Sequence, residues 1–460
     1  MTSKTPALLL RSAKGRFYGT AATAKQSVES SGVQKHPARI TKLDNGLRVA
    51  SIENGSPVSQ VGIIVNAGSR IESRKELGIT HFLRVATNMS TQNMSDLGVV
   101  RAVEQSGANL GVTGNREYML YSIDALRSEV YNGGAQSLLE IVTAPAFKKW
   151  ELDFGPIRRQ VLRNMLDCTS QPQIQLMEMV HEAAFKDTLG RSLFAPAHFI
   201  PKFNQESLLS FHNQHFSPDR MALVGLGIDH ENLVAMGKKM GKKNPSSSAP
   251  SVEKASYLGG EMRRLSDEPM THCVVVTEGP SLKSKDLFAT CILQQIMGTG
   301  PFVKYSGNTI SKLGKGVSEA LKGSPFAASC MSMNYTDSGL FGFYLCTQPE
   351  DMEKAIKTAM GIFGGVTKTG ITDEELARGK AQLKASIAMS MENSENVFLD
   401  LAEQILFSDK VVTQEEVMNS IDSVQASDVT NVAKRVINGK PTMVSLGDLS
   451  TVPYLDQLKS

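Results

Sequence analysis

Met221-Ala222-Leu223-Val224-Gly225-Leu226-Gly227 and Pro441-Thr442-Met443-Val444-Ser445-Leu446-Gly447 are two versions of one pattern, 220 residues apart. Each is a short apolar run that stops at glycine. Each is predicted to follow an amphipathic helix, over about 205–216 and about 426–437. A solenoid repeats every ~20–50 residues. A period this long therefore implies a duplicated domain of about 200 residues, and 460 residues exceed what one core holds.

Outward from these closing strands, each half also opens on strands. Leu47-Arg48-Val49-Ala50-Ser51-Ile52 and Val61-Gly62-Ile63-Ile64-Val65-Asn66-Ala67-Gly68 are β-rich runs joined by a turn around Asn54-Gly55-Ser56-Pro57. In the second half, His272-Cys273-Val274-Val275-Val276-Thr277-Glu278-Gly279 repeats the form. Tyr118-Leu120-Ser122 and Leu340-Gly342-Tyr344-Cys346 alternate more weakly. Helices are predicted from Ser128 to the break at Pro145, from Trp150 to Met165 with a kink at Gly155-Pro156, and from Asp373 to Met391 behind a Thr372-to-Glu375 cap. Strands are not separated by regular helices. The expected fold class is therefore α+β, two homologous domains each built on a mainly antiparallel sheet packed with helices. The predicted division is domains at 39–237 and 256–460 around a basic, Pro/Ser-rich surface linker at 238–255.

Composition excludes several classes. The net charge of +3 is concentrated in Lys4, Arg11, Lys14, Arg16 and Lys25, with no acid before Glu29, so the remaining chain is near neutral and gives no case for nucleic acid. This leader, rich in Ser, Thr and Ala, has the composition of a mitochondrial transit peptide (1–18), with a cut expected after Tyr18 and a mobile arm at 19–38. No apolar run reaches the ~18 residues that span a bilayer, so membrane association is expected only through partners or the surface. Cys168, Cys273, Cys291, Cys330 and Cys346 are odd in number and unpaired in spacing, and read as buried free thiols. The chain has no P-loop, haem-attachment or iron–sulfur spacing, and no cofactor is expected.

Gly78-Ile79-Thr80-His81-Phe82-Leu83-Arg84-Val85 carries the functional information. An inverted zincin needs H-x-x-E-H, two imidazoles one helical turn apart with a glutamate to activate water. Here His81 keeps the first imidazole, Arg84 stands for the glutamate and Val85 for the second imidazole. Valine has no lone pair, and arginine remains protonated and cannot act as a base. Its charge opposes a divalent cation about 4 Å away by on the order of 8 kcal/mol at an effective dielectric near 20. Two further histidine patterns are weaker. His181-Glu182-Ala183-Ala184-Phe185 lacks a second imidazole, and His212 and His215 sit at i, i+3 with Glu206 nearby, where a structural role is the default reading.

Leu43-Asp44-Asn45-Gly46-Leu47-Arg48-Val49, Ala67-Gly68-Ser69-Arg70, Gly78 to Leu83 and Phe216-Ser217-Pro218-Asp219-Arg220-Met221 resemble, in order, the pitrilysin-type peptidase family and its mitochondrial derivatives. With Gly298-Thr299-Gly300-Pro301-Phe302-Val303-Lys304 and the run Tyr335 to Tyr344, the resemblance covers the chain from about residue 40 nearly to its end. It implies an inverted-zincin-like fold, and a distal carboxylate ligand on a later helix with the pattern E-x-x-x-x-x-x-E. Ungapped placement puts Ile157 and Asn164 there, so no catalytic or metal residue is expected.

The resemblance further implies a structural subunit on the matrix side of the mitochondrial inner membrane. It would be paired with core protein 1 and joined to other subunits of ubiquinol–cytochrome c reductase. Two other readings compete. One is a non-catalytic presequence-binding subunit of the matrix processing peptidase, against which stand the only three glycines between Gly298 and Gly307. The other is a true metallopeptidase using His212 and His215, which nothing else in the chain supports.

Overall fold

The computed structural model describes residues 37–240, 252–300, 311–408 and 410–459. The leader, nearly all of the arm, the middle of the linker and residues 301–307 of the glycine-containing stretch lie outside the described residues.

Strands β1 (Arg39–Lys42), β2 (Arg48–Ile52), β3 (Val58–Val65), β4 (Asn109–Gly114), β5 (Met119–Leu126) and β6 (Met221–Leu226) form one sheet in the order β1-β2-β6-β3-β5-β4. Strands β7 (Glu261–Leu265), β8 (Thr271–Gly279), β9 (Phe326–Asn334), β10 (Gly339–Thr347) and β11 (Thr442–Gly447) form the other, in the order β7-β11-β8-β10-β9. Without β1 the two orders are the same. The closing strand of each half enters its sheet second, parallel to β2 or β7 and antiparallel to β3 or β8. The turn at Asn54–Pro57 thus joins strands that do not pair, because β6 lies between them. A sequence pattern records which residues alternate, and not which strand arrives later to sit beside them.

The first half adds helices α1 (Ile79–Val85), α2 (Asp96–Gln105), α3 (Arg127–Glu129), α4 (Ala135–Thr143), α5 (Lys149–Phe154), α6 (Ile157–Thr169), α7 (Pro172–Phe185), α8 (Gln205–His215) and α9 (His230–Lys239). The second adds α10 (Leu287–Met297), α11 (Lys312–Leu321), α12 (Met352–Thr369), α13 (Asp373–Met391), α14 (Ser394–Phe407), α15 (Gln414–Ser423) and α16 (Ala426–Asn438). The Gly155-Pro156 break separates α5 from α6, and Thr372 and Glu375 form the reciprocal cap of α13.

Each sheet is apolar on both faces. Ile63, Met119, Tyr121 and Leu223 face a core shared with α1, α4, α6, α8 and α9, and Val275, Phe341, Phe343 and Met443 face the equivalent core under α10, α12 and α16. The opposite faces are covered reciprocally by the other half. Helix α14 lays Phe398, Leu401, Ile405 and Leu406 on Ala50, Ile64, Leu120 and Val224 of the first sheet. Helix α7 lays Leu176, Met179, Val180 and Ala184 on Val274, Val276, Leu340 and Val444 of the second. Burying the four large side chains of α14 alone stabilises the docked halves by roughly 6–12 kcal/mol before the entropy of ordering.

Polar groups close the same seam. The Arg70 guanidinium donates to Glu117 at 2.9 Å and grips both oxygens of Asp337, and Thr336 donates to Glu117 through its N–H and its hydroxyl. Tyr118 donates to Glu403 of α14. His181 donates through Nδ1 to the Met177 carbonyl at 2.7 Å, so its Nε2 accepts from Tyr335 at 2.7 Å. Sequence-level expectations are corrected in two places. Lys238 and Lys239 belong to α9, and at its far end the linker is anchored, since Ala255 is buried and its N–H donates to Asp337. Of the five free thiols, Cys168, Cys273 and Cys330 are buried, whereas Cys291 and Cys346 are partly exposed.

Candidate functional site

Helix α1 starts at Gly78, whose φ of 86° is in the left-handed region and whose missing Cβ would lie 2.2 Å from Ala195 Cα. Only glycine fits there. The helix N-terminus is closed by the buried carboxylate of Glu72, which accepts from the N–H groups of Gly78 at 2.7 Å and Thr80 at 3.0 Å and from the Thr80 hydroxyl at 2.6 Å. Burial pushes the Glu72 carboxyl up to about 7, although these bonds and the charge of Arg84 oppose it.

His81 is buried on α1, against α6 and the segment after α7. Its Nδ1 accepts the Ala195 N–H at 3.1 Å, so Nδ1 carries no proton and Nε2–H donates to Asn164 Oδ1 at 2.8 Å. The ring is therefore a neutral, fully satisfied hydrogen-bonding group, with Phe194 edge-on at 5.5 Å. Burial, and secondarily the charge of Arg84, holds its pKa down at about 3. Arg84 runs over Gly114, where a Cβ would meet its Cδ at 2.8 Å, and donates to the Leu193 carbonyl. Burial lowers its pKa, and the charges of Glu72 and Glu178 oppose that. Val85 is half-buried against the apolar core, and Ile157 is buried within that core.

The structure thus brings together His81 and Asn164, sends Arg84 to a backbone carbonyl, and leaves Val85 and Ile157 as packing residues. These residues do not fit a zinc ion. The one imidazole has its free lone pair occupied and its other nitrogen protonated, and neither Val85 nor Ile157 offers a donor. Among the described residues, no group of three or more His, Cys, Asp or Glu converges to hold a metal. His212 donates Nε2–H to the Val142 carbonyl at 2.8 Å and lies 4.4 Å from the Phe216 ring, while His215 lies 4.5 Å from the Phe211 ring, its pKa held down to about 4 by burial and Arg220. They are core histidines.

Sequence reasoning missed what closes the site. Residues 191–195 lie across α1: Leu193 accepts from Arg84 and donates to Glu178 at 2.9 Å, Ala195 donates to His81, and Arg191 donates to the backbone carbonyls of Arg70 and Glu72. Most of these are backbone groups, which carry no residue-type signature.

Residues 48–197 match the family model described as insulinase (peptidase family M16), and residues 202–383 match the one described as peptidase M16 inactive domain. Together with the contents of the α1–α6 seam, these matches define the class, a degenerate metallopeptidase of two α+β domains. The chain is 34% identical to cytochrome b-c1 complex subunit 2, mitochondrial, of Mus musculus over 96% of its own length and 98% of the relative's. The Homo sapiens protein of that name gives the same values. A probable mitochondrial-processing peptidase subunit alpha-1 of Arabidopsis thaliana is 29% identical over 93% of this chain and 85% of the relative. The chain belongs to the M16 peptidase family, alongside the cytochrome b-c1 complex subunit 2 proteins.

Proposed function

We propose that this chain is a non-catalytic structural core subunit of mitochondrial ubiquinol–cytochrome c reductase. In this reading it lies on the matrix side of the inner membrane, is paired with core protein 1, and supports assembly and stability of the redox subunits. The observation that carries the reading is the end-to-end similarity to proteins named as subunit 2 of that complex. His81, Arg84, Val85, Ile157 and Asn164 are then the remains of the ancestral metal site. Conversion of that site into a closed, hydrogen-bonded seam supports a scaffold role, because the seam has structural work and no ligand set. Among the described residues no helix is long and apolar enough to cross a membrane, in keeping with peripheral attachment through partners. Residues 1–18 serve in this proposal as the transit peptide.

The alternative, a presequence-binding subunit of the matrix processing peptidase, has the lower similarity and the poorer coverage of the relatives. Salt and carbonate washing of mitochondrial membranes, then native gels and mass spectrometry of mild-detergent extracts, separates the two. Co-migration with core protein 1 and the other reductase subunits in a very large assembly is expected. A soluble dimer of about twice the chain mass would overturn the proposal in favour of the alternative. Metal analysis of the purified chain is expected to find no stoichiometric zinc.

A further inference from the structure

We propose that the face made by α5 and α6 docks directly onto an anionic lipid bilayer. Trp150, 59% exposed, and Phe154, 87% exposed, are one helical turn apart on α5 and so point to the same side. The Lys148 ammonium lies 5.2 Å from the Trp150 ring centre, and Lys149 beside it is exposed. On α6, Leu162 and Leu166 are exposed one turn apart, and Arg159 and Arg163 repeat that spacing on the exposed side. Over residues 148–167 five bases stand against three acids. Asp153 is paired with Arg158 at 3.5 Å, which leaves four bases against Glu151, partly buried and hydrogen-bonded to Ser90, and Asp167.

Charge complementarity selects the occupant. Indole and phenyl rings settle at the headgroup level of a bilayer while lysine and arginine reach its phosphates. A protein interface with an apolar centre uses Trp and Arg but is depleted in Lys, because a buried ammonium loses its hydration. Here two lysines flank the exposed tryptophan. The inference does not depend on the proposed assembly, since the isolated chain would carry the surface.

Trp150 is the single tryptophan of the chain, so its emission reports this face alone. The full chain is titrated with vesicles of phosphatidylcholine and with vesicles mixing it equally with phosphatidylglycerol. The basic leader can itself hold anionic vesicles, so the readout is Trp150 emission and not sedimentation. The expected result is a blue shift with the mixed vesicles only, reversed by high salt. The triple variant Lys148→Gln, Lys149→Gln, Arg163→Gln, which keeps Trp150, is expected to need on the order of a hundredfold more lipid for the same shift. Phe154→Ser is expected to weaken the shift without altering the melting temperature, because the ring touches little of the protein. Unchanged emission with the mixed vesicles overturns the proposal, as does a shift of equal strength in the triple variant. A shift produced by polyglutamate and not by vesicles overturns it in favour of an acidic protein partner.

Discussion

The helix pair beneath the first sheet and its counterpart beneath the second share one topology and differ in chemistry. In the first half α1 meets α6 through the His81–Asn164 hydrogen bond, while His81 and Arg84 also bond to the 191–195 backbone and the Glu72 carboxylate caps the start of α1. In the second half α10 meets α13 through Ile292 and Ile296, which press on Gly379 so closely that a Cβ there would lie 2.8 Å from Ile296 Cγ1. One seam is polar and closed by hydrogen bonds, the other is dry and closed by packing. The difference shows what a duplicated fold requires of this position. It needs shape complementarity between two helices, and buried polarity is tolerated only where every donor and acceptor has a partner.

Four measurements press on this contrast. The largest effect is expected at Gly78, where alanine adds both left-handed strain and a clash with the Ala195 backbone. Gly78→Ala should destabilise the chain by about 3–5 kcal/mol in urea unfolding, and a loss below about 1 kcal/mol would mean that α1 and the 191–195 segment move apart freely. Next is Asn164→Leu, which strands the buried His81 Nε2–H and should cost about 1–3 kcal/mol. Adding His81→Leu removes that orphan but leaves the buried Ala195 N–H without its acceptor, so the double variant should recover only part of the loss. If the double variant is as unstable as the two single losses combined, the His81–Asn164 pair is not a coupled unit.

Gly379→Ala tests the dry seam. Helix propensity favours alanine by about 1 kcal/mol, whereas overpacking against Ile296 costs about 1–3 kcal/mol. A net destabilisation of about 1 kcal/mol is expected, and a net gain would show that the α10–α13 contact has slack.

In the unsubstituted chain the smallest effect is the pH dependence of stability, because two buried groups oppose each other. His81, held at about 3 in the folded chain against an ordinary 6.5, contributes stability present above pH 6.5 and lost as pH falls toward 3. Glu72, raised from 4.5 to about 7, contributes stability present below 4.5 and lost as pH rises through 7. Between pH 4.5 and 6.5 the two slopes oppose each other, so their joint contribution is nearly flat. Glu72→Gln should uncover the His81 slope, with stability falling on acidification through that window. An unchanged profile in Glu72→Gln would show that this carboxyl does not titrate there.

Much of the fold was legible. The matched phrases at 221–227 and 441–447 are β6 and β11, and the helices read before them are α8 and α16. The Thr372–Glu375 cap and the Gly155-Pro156 break lie where local chemistry put them, because caps and helix breakers act within one turn. The insertion of β6 between β2 and β3 was not legible, nor was the exchange of α7 and α14 between the halves. Both are non-local choices about which apolar face covers which, and every face involved is simply hydrophobic in the sequence. At the site, the loss of the zincin pattern could be read from Arg84 and Val85 alone, since a residue type either has a metal-binding lone pair or does not. What replaced the metal could not be read, because Glu72 carries no spacing signal and the 191–195 segment acts mainly through its backbone.

The sequence by itself determined the duplication, the α+β class and the absence of the zincin ligand set, because periodicity and side-chain chemistry are properties of residues taken a few at a time. Only the tertiary structure decided that His81 is neutral with both nitrogens occupied, that Arg70 links Glu117 to Asp337 across the halves, and that each half covers the other's sheet. Hydrogen-bond partners and the burial that shifts a pKa are set by groups tens to hundreds of residues away, and the chain brings these together only when it folds.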